Sequence, residues 1–83
     1  TDTKGERTTF EVPVMVDSPL VETAIRDIQW PEQILIATVR RGAKEIIARG
    51  DTVLQSGDIL IVVCDEGIVG KTTEEMMHLV TAP

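Results

Sequence analysis

The chain has 83 residues, 42% of them hydrophobic, enough for one small domain with a single modest core. Fourteen acids against eight bases give a formal net charge of −6, which argues against nucleic-acid binding and against docking on an anionic membrane surface, since both need a basic face. There is no run of about 18 apolar residues to cross a membrane and no apolar signal-peptide core, and a single cysteine, Cys64, rules out an internal disulfide framework.

In chain order, the polar opening TDTKGER has no apolar period, so residues 1–9 read as the remnant of a linker and residues 10–83 as one domain cut from a longer chain. Phe10, Val12, Val14 and Val16 alternate with Glu11, Pro13, Met15 and Asp17, the period of a half-buried strand. Pro13 has no N–H to give, so that strand is expected at an edge or paired on one side only around that residue. Ser18-Pro19 reads as an N-cap followed by proline in the first helical position. Leu20, Val21, Ala24, Ile25 and Ile28 then recur at helical spacing, predicting a short amphipathic helix that Trp30-Pro31 ends.

Ile34 to Val39 reads as a strand, Arg41-Gly42-Ala43 as a turn and Lys44 to Arg49 as the returning strand of a hairpin, with Ile46 and Ile47 on opposite faces. Two Gly-Asp pairs follow, Gly50-Asp51 and Gly57-Asp58. Each reads as a turn in which glycine takes a left-handed backbone and the aspartate bonds back to the chain. Ile59 to Cys64 is a nearly unbroken apolar run, as in a central strand buried on both faces. Leu35, Ile59, Ile61 and Val63 are therefore expected in the core, with Cys64 as a small buried hydrophobe. Asp65-Glu66-Gly67 breaks the run. Thr72-x-x-Glu75 has capping-box spacing, and Met76, Leu79 and Val80 form the stripe of a last helix that starts between Ile68 and Thr73. The order β-α-β-β-β-α predicts an α+β fold, with helices packed on a mainly antiparallel sheet.

Little in the chain carries reaction chemistry, and no enzyme is expected. His78, the single histidine, has no second histidine or cysteine near it, whereas zinc needs three or four convergent ligands, so no metal site is expected. Ser18 and Ser56 fit a cap and a turn and lack a base partner. Asp51 and Asp58 are explained by their turns. Gly67-x-x-Gly70-Lys71-Thr72 lacks the full spacing of a phosphate loop. Arg40, Arg41, Lys44 and Arg49 fall close together, as a solvated hairpin end or an anion-facing patch. Trp30 reads as packing at a helix end, or as a wall of a ligand or subunit contact.

The segments SPLVETAIRDI, WPEQILIATVRRG and EIIARGDTVLQSGDILIVV resemble the C-terminal lobe of domains that regulate potassium conductance, the RCK-C or TrkA-C domain. The likeness covers about residues 10–80, and GDTVLQSGDILIV is its most specific part. One departure is Ala48, where the family often has proline. The resemblance implies a dimerising regulatory module. Such modules sit on the cytoplasmic side of integral membrane proteins: potassium channels and uptake systems, and some chloride channels, antiporters and anion symporters. The homodimer and the rest of a parent transporter or channel are then the expected partners, and a ligand-free structural dimerisation module is the alternative. No dinucleotide-binding G-x-G-x-x-G is present, so no NAD site is expected. Family ligands include metal ions and, in several members, cyclic di-AMP at the dimer interface. The matching positions for that ligand are Asp27, Ile28, Gln29, Trp30, Gln33 and Ile34. The phosphates would take cations from Arg26, Arg40 and Arg41. Gln29 departs from the arginine that nucleotide-binding members carry nearby and cannot offer phosphate the charged fork of a guanidinium, so no bound cofactor is expected.

Overall fold

The computed structural model describes residues 6–81; residues 1–5 of the expected linker lie outside them. Four strands make one antiparallel sheet: β1 (Arg7–Pro13), β2 (Ile34–Arg41), β3 (Lys44–Ile47) and β4 (Ile59–Asp65), in the spatial order β1-β4-β2-β3. One helix, α1 (Val69–Val80), closes the chain after a 3-10 turn over Glu66–Ile68. The α+β class with an antiparallel sheet is as expected. β1 is an edge strand, consistent with Pro13, and the two-residue loop Gly42-Ala43 joins β2 to β3 with Gly42 at φ 61°.

Alternation sets the faces. Phe10 and Val12 of β1 pair with Val62 and Leu60 of β4, and Ile36 and Val39 of β2 pair with the same two residues from the other side. A bulge between Ile36 and Thr38 lets Ile34, Ile36 and Val39 share one face despite the odd spacing. That face, with Val14, Leu20 and Leu54 from the connecting segments, is covered by Met76 and Val80 of α1 and forms the core. Burying a side chain such as Leu60 or Val62, both at 0% exposure, stabilises the fold by about 1.5–3 kcal/mol.

Among the described residues, no element covers the other face of the sheet. β4 is central, but it is not buried on both sides: Leu60, Val62 and Cys64 are buried, while Ile59, Ile61 and Val63 are only half-buried. Leu35 and Ile47 on the same bare face are each 64% exposed. The expectation that Leu35, Ile59, Ile61 and Val63 form the core is thus corrected by one residue of register. The apolar run is read correctly, but a single helix covers only one side of it.

The predicted helix from Ser18 to Gln29 is also absent; only a 3-10 turn over Ile25–Asp27 forms. Ser18 does cap locally, its Oγ accepting from the Leu20 N–H at 3.1 Å, but a turn follows. Glu22 stands at φ 68°, incompatible with a helix interior. The N–H groups of Glu22, Ile25 and Arg26 donate to the carbonyls of Leu54, Thr52 and Gly50 at 2.7, 2.9 and 2.9 Å, and Leu54 N–H donates back to Thr23 at 3.0 Å. These tertiary bonds take the donors that a helix would use within itself.

Two smaller corrections concern caps and turns. Thr72 does not cap α1. The helix begins at Val69, and the Thr72 hydroxyl, inside it, donates to the Ile68 carbonyl at 2.8 Å. Gly57 has the expected left-handed backbone (φ 92°). Gly50 does not, and a Cβ there would meet the Cβ of Arg26 at 3.4 Å, an ordinary contact.

Candidate functional site

The segment from Gln29 to Leu35 links the 3-10 turn to β2, and it lines each of three grooves. Trp30 is its anchor. The indole Nε1–H donates to the Ile25 carbonyl at 3.0 Å, which fixes the ring between two of them.

On one side of Trp30, a cleft of about 570 Å³ separates the segment from α1. Gln29, Trp30 and Gln33 line it, facing Lys71, Glu75 and His78 of the helix. On the other side, a groove of about 260 Å³ runs toward β3, walled by Ile25, Trp30, Ile34 and Ile36, with Ala48 and Arg49 at its far edge. A third groove takes in Gln33, Ile34 and Leu35 beside Arg7 and Asp65. Of the six positions singled out in the sequence, the structure gathers Gln29, Trp30 and Gln33 around the first cleft, and Trp30 and Ile34 around the second. Asp27, exposed in the 3-10 turn, and Ile28, packed against the core, line none of the three.

The helix face was missed by sequence reasoning. Lys71, Glu75 and His78 are spaced four and three residues apart, so they share one side of α1. That spacing was visible in the sequence, but nothing there said which element the side would face.

The basic cluster is divided by its partners. Arg40 pairs with Glu11 at 3.2 Å. Arg41 grips Asp58 with two bonds of 2.9 Å, Nε to Oδ1 and Nη2 to Oδ2, and Nη2 also donates to the Val53 carbonyl at 2.9 Å. Asp58 is 1% exposed, and its Oδ2 accepts from the Gln55 N–H at 2.8 Å, the turn role foreseen for it. Burial alone pushes the Asp58 carboxyl up, but the Arg41 hydrogen bonds, the Gln55 N–H and the Arg41 charge outweigh it and hold the group below the usual carboxylate range. The same bonds raise the Arg41 guanidinium. Arg40 and Arg41 are thus engaged, whereas Lys44 and Arg49 form no ion pair among the described residues. Of these four, Arg49 alone lines the groove beside β3.

No group of three or more His, Cys, Asp or Glu able to hold a metal ion occurs among the described residues. No helix there is long and apolar enough to cross a membrane.

Over residues 9–77 the chain matches the TrkA-C domain family. The chain belongs to that family. It is the kind of domain that forms the C-terminal lobe of RCK domains. This TrkA-C domain is 36% identical over 80 residues to the Trk system potassium uptake protein TrkA homolog of Archaeoglobus fulgidus. That alignment covers 95% of this chain but only 17% of the relative, so the chain spans about a sixth of that relative's length. A solved RCK domain with cda has the same fold, with a TM-score of 0.68 at 24% identity, covering 82% of this chain and 96% of that one.

Proposed function

We propose that this TrkA-C domain is a dimerising regulatory module of a membrane transport system for potassium, acting at the cytoplasmic side of the membrane without catalysis of its own. The kinship with a potassium uptake protein supports the transport assignment. The observation that carries dimerisation is the bare face of the sheet. Leu35 and Ile47 stand 64% exposed beside half-buried Ile59, Ile61 and Val63, and a contiguous aliphatic patch on so acidic a chain is the mark of an interface. Its rim carries both signs of charge, Arg40 with Glu11, and Glu45 bonded to Thr38. A rim with both signs of charge can be self-complementary across a two-fold, as an isologous interface requires.

The regulatory ligand belongs in the groove beside β3. Ile25, Trp30, Ile34 and Ile36 offer apolar walls to a planar base, and Arg49 offers a guanidinium to a phosphate. A cyclic dinucleotide of the cyclic di-AMP kind suits that chemistry, and a domain of the same fold was solved with cda. One observation favours the alternative, a ligand-free dimerisation module: Gln29 supplies no cation, and Arg40 and Arg41 are already paired.

Two measurements test the proposal. Sedimentation at micromolar concentration should give a dimer that Leu35→Lys or Ile47→Lys converts to a folded monomer; a wild-type chain that stays monomeric at every concentration sinks the dimer. Calorimetric titration with cyclic di-AMP should give heat that Trp30→Ala and Arg49→Ala each abolish. No heat in the dimer leaves the ligand-free module as the better account.

A further inference from the structure

The cleft between the Trp30 segment and α1 takes no part in the function proposed above, and it is the larger of the two grooves that Trp30 walls. Its volume of about 570 Å³ is within the range of small-molecule sites. Its aromatic wall is already fixed, because the Trp30 indole is tied to the Ile25 carbonyl and need not be ordered by a ligand. Pro31, Ile68 and Leu79 add an aliphatic floor. Cavity, fixed ring and floor together describe a site for an organic molecule, and the remaining groups decide its sign.

Glu32 lies on the segment side and Glu75 on the helix side, and neither forms an ion pair among the described residues. Gln29 and Gln33 contribute carboxamide oxygens. The one permanent cation in the lining is Lys71, so with His78 neutral the lining carries one negative charge, within a chain of net −6. A phosphate-bearing ligand would put its charge against two carboxylates. An ammonium would instead meet carboxylates, carboxamides and an indole ring, groups that recognise organic cations. The acids stand on two different elements with apolar surface between them, which favours a ligand with two ammonium groups joined by an alkyl spacer.

We propose that this cleft binds an alkyl di- or polyammonium, with Glu32 and Glu75 anchoring its charged groups and Trp30 holding the chain between them. This goes beyond the dimer and nucleotide reading and does not depend on it.

Trp30 is the single tryptophan, so its emission reports the site directly. The domain is titrated at about 0.15 M ionic strength, where the Debye length is about 8 Å, with spermidine and, in parallel, with AMP. The expected result is a saturable emission change with spermidine alone. Glu32→Gln and Glu75→Gln should each weaken it about fivefold, the worth of one partly exposed ion pair. Glu74→Gln makes the same change of charge on the same helix outside the cleft, and should weaken binding by less than about twofold, as a screened distant charge does. Lys71→Gln should tighten the polyamine, whereas a nucleotide site would lose affinity with the same change. Three outcomes overturn the proposal: equal weakening by Glu74→Gln and Glu75→Gln, which means diffuse acidity; a response to AMP and none to spermidine; or no saturable response to either. Sedimentation of the same samples separates any of these from a failure of the dimer reading.

Discussion

Replacing Arg41 with Met keeps an unbranched apolar stem and removes the guanidinium, and with it both the ion pair with Asp58 and the bond to the Val53 carbonyl. In the wild type the Asp58 carboxylate, 1% exposed, has the Arg41 fork and the Gln55 N–H as partners. The variant leaves a buried charge with a single backbone donor. Breaking one side of a fully buried pair costs about 3–5 kcal/mol; with the Arg41 side chain 38% exposed solvent screens the pair and the expected loss is about 1.5–3 kcal/mol, against a total stability of about 4–12 kcal/mol for a domain of this size. The loss should depend on pH, with a sign that follows from Asp58. In the wild type its folded pKa lies below the unfolded value, so its contribution is fully present above about pH 4 and fades as pH falls through the folded pKa. In Arg41→Met burial is unopposed by the guanidinium and the folded pKa rises. The penalty is then largest at neutral pH and is relieved as acid protonates the carboxyl. Urea denaturation at pH 7 and pH 3, followed by Trp30 emission and far-ultraviolet circular dichroism, measures both. A loss below about 1 kcal/mol at pH 7 puts the pair among exposed ion pairs that contribute little. An equal loss at both pH values shows that the fork acts through packing and not through charge. Either result refutes the electrostatic account.

Leu60→Ala should cost about 2–5 kcal/mol by chemical denaturation, whereas Leu35→Ala at concentrations where the chain is monomeric should cost under about 1 kcal/mol; the reverse order would put the core on the other face of the sheet. Gly57→Val should cost about 1–3 kcal/mol because of its φ of 92°, and Gln55→Ala no more than about 0.5 kcal/mol; equal midpoints for the two would remove the left-handed turn. Glu22→Gly relieves a left-handed glutamate at φ 68° and should leave thermal stability unchanged or higher, whereas in a helix interior it would cost about 1 kcal/mol.

The strands were legible because their signal is local. Val12 is buried where period two demands it, and Gly42 marks the hairpin turn; on β4 the apolar run was legible but not that Leu60 and Val62, rather than Ile59, Ile61 and Val63, would face the helix. What was misread depended on the other side of a contact. The apolar stripe of Leu20, Val21, Ala24, Ile25 and Ile28 is real, since Leu20 is buried and Val21, Ile25 and Ile28 pack against the core. But helical spacing over so few residues also fits a segment bonded to a neighbouring strand, and the deciding carbonyls belong to Gly50, Thr52 and Leu54, far along the chain. The Arg41–Asp58 pair was hidden for the same reason. Both residues have a sufficient local explanation, a hairpin end and an Asx turn, and only the packing of one turn on the other joins them. Of the cleft, the Trp30 side was readable as a likeness to a family. The α1 side had only a helical spacing with no stated neighbour.

The geometry also limits how a ligand could act on the dimer proposed here. Trp30 is held by the Ile25 carbonyl, and Ile25 in turn donates its N–H to Thr52 at 2.9 Å. A ligand in either groove therefore meets a ring whose position is already set, and little of its binding energy goes to ordering the site. Such a ligand can shift an assembly only by binding its states with different affinity. β2 is where that difference can arise. Ile34 and Leu35 both line the groove beside β3, and Leu35 also shares the bare face with Val63. Successive side chains of a strand point to opposite faces, so any displacement of Ile34 by a ligand moves the backbone that carries Leu35. The bulge between Ile36 and Thr38 interrupts the pairing with β4 just beyond them, and Ile34, Leu35 and Ile36 pair with β4 alone, whereas Thr38, Val39 and Arg40 pair with both β4 and β3. Coupling between site and dimer face then requires no long path through the core, because adjacent residues of one strand already serve both.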